Sequence, residues 1–286
     1  MKTTMIPTKL APPQTVPLLF TSHFQYSTGV GGLQSVNALR TRRDVGGLCA
    51  KRMAWSSEKY DGTTVETAKM GTVLPATVDY AGEAIEAVRA GKLIAVPTDT
   101  LYGFACDASS AEAVNRIFAT KGRKQTNPLS ICVGDVQDIQ RFATIDNLPH
   151  GLLDSLLPGP VTLVLKRWEP CILAKSLNPG WDSIAIRVPD SDFVRAIARG
   201  SASALALSSA NISKQRSSVE IKDFEVLWEH CAYIFNGGVL PCGRAGSTVV
   251  DLTKPGHYKI RRPGSAKEET VPILERYGLV EDSSAS

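Results

Sequence analysis

Lys121 and Arg123 stand two residues apart around Gly122, just past an amphipathic helical pattern, and Asn127-Pro128-Leu129 follows them. Two fixed cations at such a junction have two readings. They complement the negative end of the helix dipole and are otherwise solvated. Or they hold phosphate oxygens, Arg as a planar fork and Lys as a mobile point charge. Four more stretches carry related chemistry: 97–103 (PTDTLYG), 208–213 (SSANIS), 245–248 (AGST) and 261–264 (RRPG). Each reads as a loop after a strand. Together they offer hydroxyls, one amide, backbone N–H groups near Gly, and guanidinium. That inventory suits a polyanion such as a nucleotide, bound where strand ends meet in an α/β sheet. The sequence has no GxxxxGK[ST], no GxGxxG and no nucleophile elbow, and its histidines suggest no triad. Any one of these loops alone is better explained by ordinary turn chemistry.

The elements that would position these loops begin near Thr72. Residues 79–90 read as a helix with Asp79 as N-cap and Gly91 past its end. Ser109-Ser110-Ala111-Glu112 reads as a capping box. The helix it opens carries Ala113, Val114, Ile117 and Phe118 on one face and stops at Gly122, which tolerates positive φ. Strands are expected at 93–96, 129–133, 161–165, 184–188, 204–207, 232–235, 246–252 and 257–261. Helices are expected at 136–142, 151–157, 192–199, around 221–230 and at 271–277. Several strands arrive in pairs with no helix between them. That pattern points to an α/β domain with a large mixed sheet, not a regular doubly wound one.

Composition sets outer bounds. A chain of 286 residues, 43% hydrophobic and 21% charged, can bury one substantial core. Its longest apolar runs are strand-sized, far short of the roughly 20 residues that cross a bilayer, so no membrane span is expected. The six cysteines form no CxxC pair and the four histidines no H-x3-H pair, which argues against a protein-built metal site. Residues 1–55 carry seven Lys or Arg against one Asp. Their net of +6, against +4 for the whole chain, leaves the remainder at −2. The basic character therefore belongs to this segment, which is rich in Ser, Thr, Leu and Pro. It reads as a disordered leader acting as a mitochondrial or chloroplast transit peptide. Met53 and Met70 could serve as internal starts and give a cytoplasmic form. Residues 56–71 read as a linker, 72–280 as a single catalytic domain and 281–286 as a disordered tail.

Taken in order, PTDTLYGF, KGRKQTNPL, PGPVTLVLK, IAIRVP, SSANIS, GSTVVDL and RRPG resemble the YrdC family of threonylcarbamoyl-AMP synthases, from about Ile94 to Gly264. The resemblance implies a single α/β domain with a large twisted mixed sheet flanked by helices, and a basic concave cavity. It implies an ATP-consuming nucleotidyltransferase, an L-threonylcarbamoyladenylate synthase. L-Threonine, bicarbonate or CO2, and ATP would become threonylcarbamoyl-AMP and pyrophosphate, for the N6-threonylcarbamoyladenosine modification of ANN-decoding tRNAs. Mg²⁺ would bind through the triphosphate, with no protein-built metal site. A tRNA threonylcarbamoyltransferase would act downstream, and weak tRNA or double-stranded RNA binding could accompany it.

Residue by residue, the resemblance places Lys121, Arg123 and Asn127 on ATP phosphates, the first two as catalytic groups. Ser209, Asn211 and the backbone around Ser183 and Ala185 would bind the adenylate side. Arg262 would close on the nucleotide, with Arg261 as the fallback. Thr100, Arg187 and Ser247 would hold threonine, Arg187 forking onto its α-carboxylate. Many members have a histidine near the position of Cys132, so this cysteine is expected to be a buried strand residue. A second domain that closes over the site in some members is not expected. Two other functions compete: a non-catalytic RNA-binding module whose cavity tracks a phosphate backbone, and a carbamoyl-handling domain of hydrogenase maturation. Low aromatic content disfavours the first, and the lack of zinc-binding or other fused domains the second.

Overall fold

The structure, a computed structural model, describes residues 71–283 except Cys171 and Cys242. The leader at 1–55 and nearly all of the linker lie outside the described residues. Among those described, eleven strands form one mixed sheet in the order β1-β8-β2-β3-β7-β4-β6-β5-β9-β10-β11. The central strands are β2 (Ile94–Pro97), β3 (Tyr102–Asp107), β7 (Leu205–Ser209), β4 (Ser130–Cys132) and β6 (Ser183–Arg187). β5 (Val161–Lys166), β9 (Thr248–Asp251) and β10 (His257–Arg262) continue one side, and β8 (Tyr233–Asn236) and β1 (Thr72–Pro75) the other. Parallel pairs (β4 with β6, β5 with β9) are interleaved with antiparallel ones (β3 with β7, β5 with β6). This is the mixed sheet expected from strands that arrive in pairs.

The core divides by strand parity. In β2, Ile94 and Val96 face a cluster with α1 (Ala81–Arg89) and α4 (Asp192–Ser201), while Ala95 faces the opposite cluster. In β3, Tyr102, Phe104 and Cys106 join α2 (Ala111–Lys121) on that second face, and Ala105 points the other way. Both faces are covered, so every residue of Tyr102–Cys106 is buried. No hydrophobic alternation then remains in the sequence to mark the strand. The start of β3 accordingly falls in the stretch 97–103 that reads as a ligand loop, and its remainder, 104–107, carries no strand signal. α3 (Leu152–Leu156) and α5 (Lys267–Arg276) also cover the second face; Ser155 Oγ and Tyr277 Oη lie 2.7 Å apart between them.

Three local expectations need correction. α1 starts at Ala81 after a 3-10 turn at Val78–Tyr80, so Asp79 lies inside that turn and caps nothing. Ser110, not Ser109, is the N-cap of α2: its Oγ accepts from Ala113 N at 3.2 Å, while Ser109 is held by Asp107 Oδ1. Glu112 pairs instead with Arg116 one turn on. At the C-terminus Glu281 is no tail residue; it belongs to β11 (Val280–Glu281), paired with Tyr258 of β10. Gly122 ends α2 in the left-handed region (φ 56°), as its lack of Cβ allows.

Candidate active site

α1 and α4 cover only part of one sheet face. On the uncovered half the sheet is the floor of a cavity of about 650 Å³. Strand registers align Leu207, Ser130, Ala185, Val164 and Asp251 in one row across β7, β4, β6, β5 and β9. Their neighbours Ile184, Ile186, Leu163 and Val250 point away into the core. Period-2 alternation thus leaves a mixed floor, with Ser130, Ala185 and Asp251 set between Leu207 and Val164, and a wholly aliphatic layer beneath it. All four ligand-type loops reach the walls, through Thr98 and Thr100 to Gly103, Ser208 to Ser209, Ala245 to Ser247, and Arg261 to Pro263; Arg123 joins them.

At one end the PTDT turn is braced by Thr98, whose Oγ1 accepts from the N–H of Thr100 and Leu101 (3.2 Å each) and donates to Leu101 O at 2.8 Å. Arg187, at the end of β6, donates from Nη1 to Thr100 Oγ1 (2.9 Å), from Nε to Gly159 O (3.4 Å) and from Nη2 to Asp99 Oδ1. Asp99 Oδ2 is buried without a partner. Arg187 can still meet a carboxylate, but with only part of its fork. Three of its five N–H groups are taken, leaving one each on Nη1 and Nη2. Ser247 completes this end, its Oγ 2.7 Å from Thr162 Oγ1. Cys132 lies beside Arg187 in the ladder, fully buried, and burial pushes its thiol up to about 12.

The other cations differ in their partners. Asp251 takes Arg261 on Oδ2 (Nε at 2.8 Å, Nη2 at 2.7 Å) and Thr253 N and Oγ1 on Oδ1. Burial works against that carboxylate, but the Thr253 bonds and Arg261 outweigh it and hold the group below the usual range. Arg262 donates instead to Ser247 O at 2.8 Å and to its Oγ at 3.3 Å. A register shift between Ile260 and Arg262 lets both neighbouring arginines line one cavity, against strict strand alternation. Arg123 donates only to backbone, Asn127 O at 3.2 Å and Pro128 O at 2.9 Å. Arg123 is pulled below the usual guanidinium range by burial and then by Arg262; Arg262 is lowered by burial and then by Arg187. Among the described residues neither Arg123 nor Arg262 has an acidic partner.

Lys121 does not sit where the sequence suggests. It is 1% exposed, and its Nζ donates to Ser209 O, to Asn211 O at 2.7 Å and, more weakly, to Asn211 Oδ1 at 3.4 Å. Asn211 in turn spends its Nδ2 on Ile212 O and Gln215 O. Both side chains lie behind the cavity wall and fix the loop that presents Ser209. Asn127 is exposed beside the wall and offers its carbonyl to Arg123. Ala185 pairs with Val164 on one side and Ser130 on the other, so its backbone is committed to the ladder and it shows the cavity a methyl. Ser183, Ser209, Thr100, Arg187, Ser247, Arg123 and Arg262 all line the cavity.

Burial, with Arg123 nearby, pulls Lys121 down from 10.5 to about 7. Above pH 7 the folded chain sheds this proton, whereas the unfolded chain keeps it to about pH 10.5. The unfolded state then binds more protons throughout that window, so this group makes the fold more stable as pH rises through it. Wild type should therefore gain thermal midpoint relative to Lys121→Met between pH 7 and pH 9 in thermal scans. Parallel pH profiles would refute a buried, proton-shedding Lys121.

Several supporting residues escape sequence reasoning. Asn178 accepts from Leu129 N (2.7 Å) and donates to Leu129 O (3.0 Å), clamping the KGR loop to the β5–β6 connection 49 residues away. Tyr102 Oη donates to Gly238 O and accepts from Gly237 N. Arg244 forks onto Asp223 at 2.8 and 3.1 Å and ties down the loop before Ser247. No local motif marks any of them, because each partner is distant in sequence.

The family model Sua5_yciO_yrdC, described as "Telomere recombination", matches residues 86–264. The chain is 48% identical over 202 residues to a threonylcarbamoyl-AMP synthase of Bos taurus, covering 69% of this chain and 72% of that protein. It is 45% identical over 222 residues to the Homo sapiens protein of the same name, covering 73% and 78%. The crystal structure of Pyrococcus abyssi Sua5 complexed with L-threonine superposes with a TM-score of 0.64 at 29% identity, over 74% of this chain and 62% of that one. The chain thus spans about three-fifths of the archaeal protein.

Proposed function

The chain belongs to the Sua5/YciO/YrdC family, and from that premise we propose that it is a threonylcarbamoyl-AMP synthase, joining L-threonine, bicarbonate or CO2, and ATP with release of pyrophosphate. One observation carries this reading. Two arginines without acidic partners, Arg123 and Arg262, open onto the same cavity as Thr100, Arg187 and Ser247.

The chemistry needs that arrangement. The threonine nitrogen adds to CO2 and loses a proton, giving a carbamate. A carbamate oxygen then attacks the α-phosphorus, the bond to the bridging oxygen breaks, and pyrophosphate leaves with the electron pair. Nucleophile and electrophile are both anionic, so the work is juxtaposition and charge neutralisation without a covalent enzyme intermediate. Thr100, Ser247 and the two remaining Arg187 donors hold the amino acid. Arg123 and Arg262 take the phosphates, and Ser209 and Ser183 contact the adenylate side. Lys121 acts one step back, by fixing Ser209.

Asp251, which lines the cavity, and Asp99, in the turn at one end of it, are engaged by arginines. No group of three potential metal ligands exists among the described residues. The residues present fit a Mg²⁺ held by triphosphate oxygens and water, where it would spread phosphate charge, and not a protein cage. The product's consumer is a tRNA threonylcarbamoyltransferase.

The test is direct. Purified chain with labelled bicarbonate, threonine and Mg-ATP should yield a labelled adenylate and equimolar pyrophosphate, only when threonine is present. Threonine-independent retention of RNA that weakens steeply with salt, with no labelled product, would put an RNA-binding module in its place.

A further inference from the structure

Trp181 is 48% exposed and lines the cavity. Among the described residues no ring or cation stacks on its indole. The turn that carries it is stiff. Asn178-Pro179-Gly180-Trp181 has Pro at the second position, Gly at the third with φ 79°, and Trp181 N donating to Asn178 O at 3.3 Å, as in a type II turn. The first residue of that turn is the 2% exposed Asn178, clamped through both ends of its amide to Leu129. The backbone that presents this large aromatic face is thus held at a fixed position, and the indole lines the same cavity as Pro128 and Leu129.

Strand β6 supplies a ruler. From Ser183 to Arg187 is four residue steps, about 13 Å in an extended strand. Arg187 marks the amino-acid end, and Trp181 lies two residues beyond Ser183 at the far end. An adenylate carrying an amino acid on its phosphate, laid along this strand, puts its base at Trp181 when its carboxylate is at Arg187. We propose that Trp181 is the platform on which the purine of the nucleotide stacks, and that it sets affinity for the base independently of the phosphate-binding arginines. The proposal rests on the synthase reading and adds to it a specificity-determining residue that no motif marks.

The test compares Trp181→Ala and Trp181→Phe with wild type. Trp181→Ala should raise the KM for ATP by roughly tenfold, the scale of one base–aromatic stack. Its KM for threonine should stay unchanged and its kcat within about threefold, the scale of an interaction made equally in ground and transition states. Trp181→Phe, which keeps an aromatic face, should recover most of the loss. Inhibition by inorganic tripolyphosphate, which has no base, should be the same in all three proteins. A non-hydrolysable ATP analogue should quench tryptophan fluorescence in wild type and not in Trp181→Phe. An unchanged KM for ATP in Trp181→Ala, or an equal rise in the KM for threonine, would overturn the platform while leaving the synthase intact. If wild type neither binds the analogue nor forms the adenylate, the synthase reading falls and the platform with it.

Discussion

Arg262→Met should lower kcat/KM for ATP by about a hundredfold or more and leave the thermal midpoint of the ligand-free protein level or slightly raised. The two halves of that expectation have separate causes. Removing a preorganised charged donor aimed at developing phosphate charge costs about 2.7–4 kcal/mol of transition-state stabilisation, or 10²–10³ in rate. Stability responds differently because Arg262 is poorly compensated. It has no carboxylate partner, and the neighbouring positive charges of Arg123 and Arg187 act on the same group. Its hydrogen bond to Ser247 O is worth about 1 kcal/mol, and relief of that repulsion offsets it.

Arg261, one residue away, should behave in the opposite way. It holds the buried carboxylate of Asp251, so Arg261→Met strips an acid of its cation and should lower the midpoint more than Arg262→Met does. Its effect on turnover should be the smaller of the two. ATP should raise the wild-type midpoint and raise that of Arg262→Met less. A midpoint drop of several degrees in Arg262→Met with kcat/KM intact would show that the residue holds the loop and not the nucleotide.

That contrast also marks how far the sequence could be read. The loops at 97–103, 208–213, 245–248 and 261–264 were legible because turn residues and fixed cations are local signals, and the structure brings all of them to one cavity. Which side chain faces the ligand was not legible. Lys121 and Asn211 belong to the same motifs as Arg123 and Ser209, yet they point into the wall. The acceptors that turn Lys121 inward are carbonyls 88 and 90 residues away. Arg261 and Arg262 are chemically identical in the sequence. Only the register shift and the distant Asp251 separate a paired cation from an unpaired one. β3 was lost for a related reason: a strand buried on both faces shows no alternation. Asp99 shows the limit from the acidic side, since nothing around PTDT announces that its carboxylate takes up part of Arg187.

Gly264→Ala should be the most damaging glycine-to-alanine change among the described residues. The position is required for space and not for backbone conformation. A Cβ there would lie 2.3 Å from Ser247 C and Thr248 N and 2.4 Å from Gly246 O. All three are backbone atoms, so no rotamer change relieves the overlap; two loops must separate. Those loops carry Arg262 and Ser247, and their contact is fixed by Ser265 N donating to Gly246 O (3.0 Å) and Ala266 N to Thr248 Oγ1 (3.2 Å). Overpacking against movable side chains costs about 1–3 kcal/mol, and a backbone overlap belongs at or beyond the top of that range. For a domain of this size about 3 kcal/mol is roughly 6–12 °C of thermal midpoint. Activity should fall further than stability predicts, because separating the loops draws an arginine from the phosphates and a hydroxyl from the amino acid at once. Two other glycines isolate the cause. Gly256 has φ 72° and open space around its Cβ position, so Gly256→Ala should cost only the left-handed strain of about 1–2 kcal/mol and spare turnover. Gly82, helical and equally open, should gain about 0.5 kcal/mol on becoming Ala. If Gly264→Ala loses no more activity than Gly256→Ala at equal folded fraction, the close approach of the two loops is not what assembles the site.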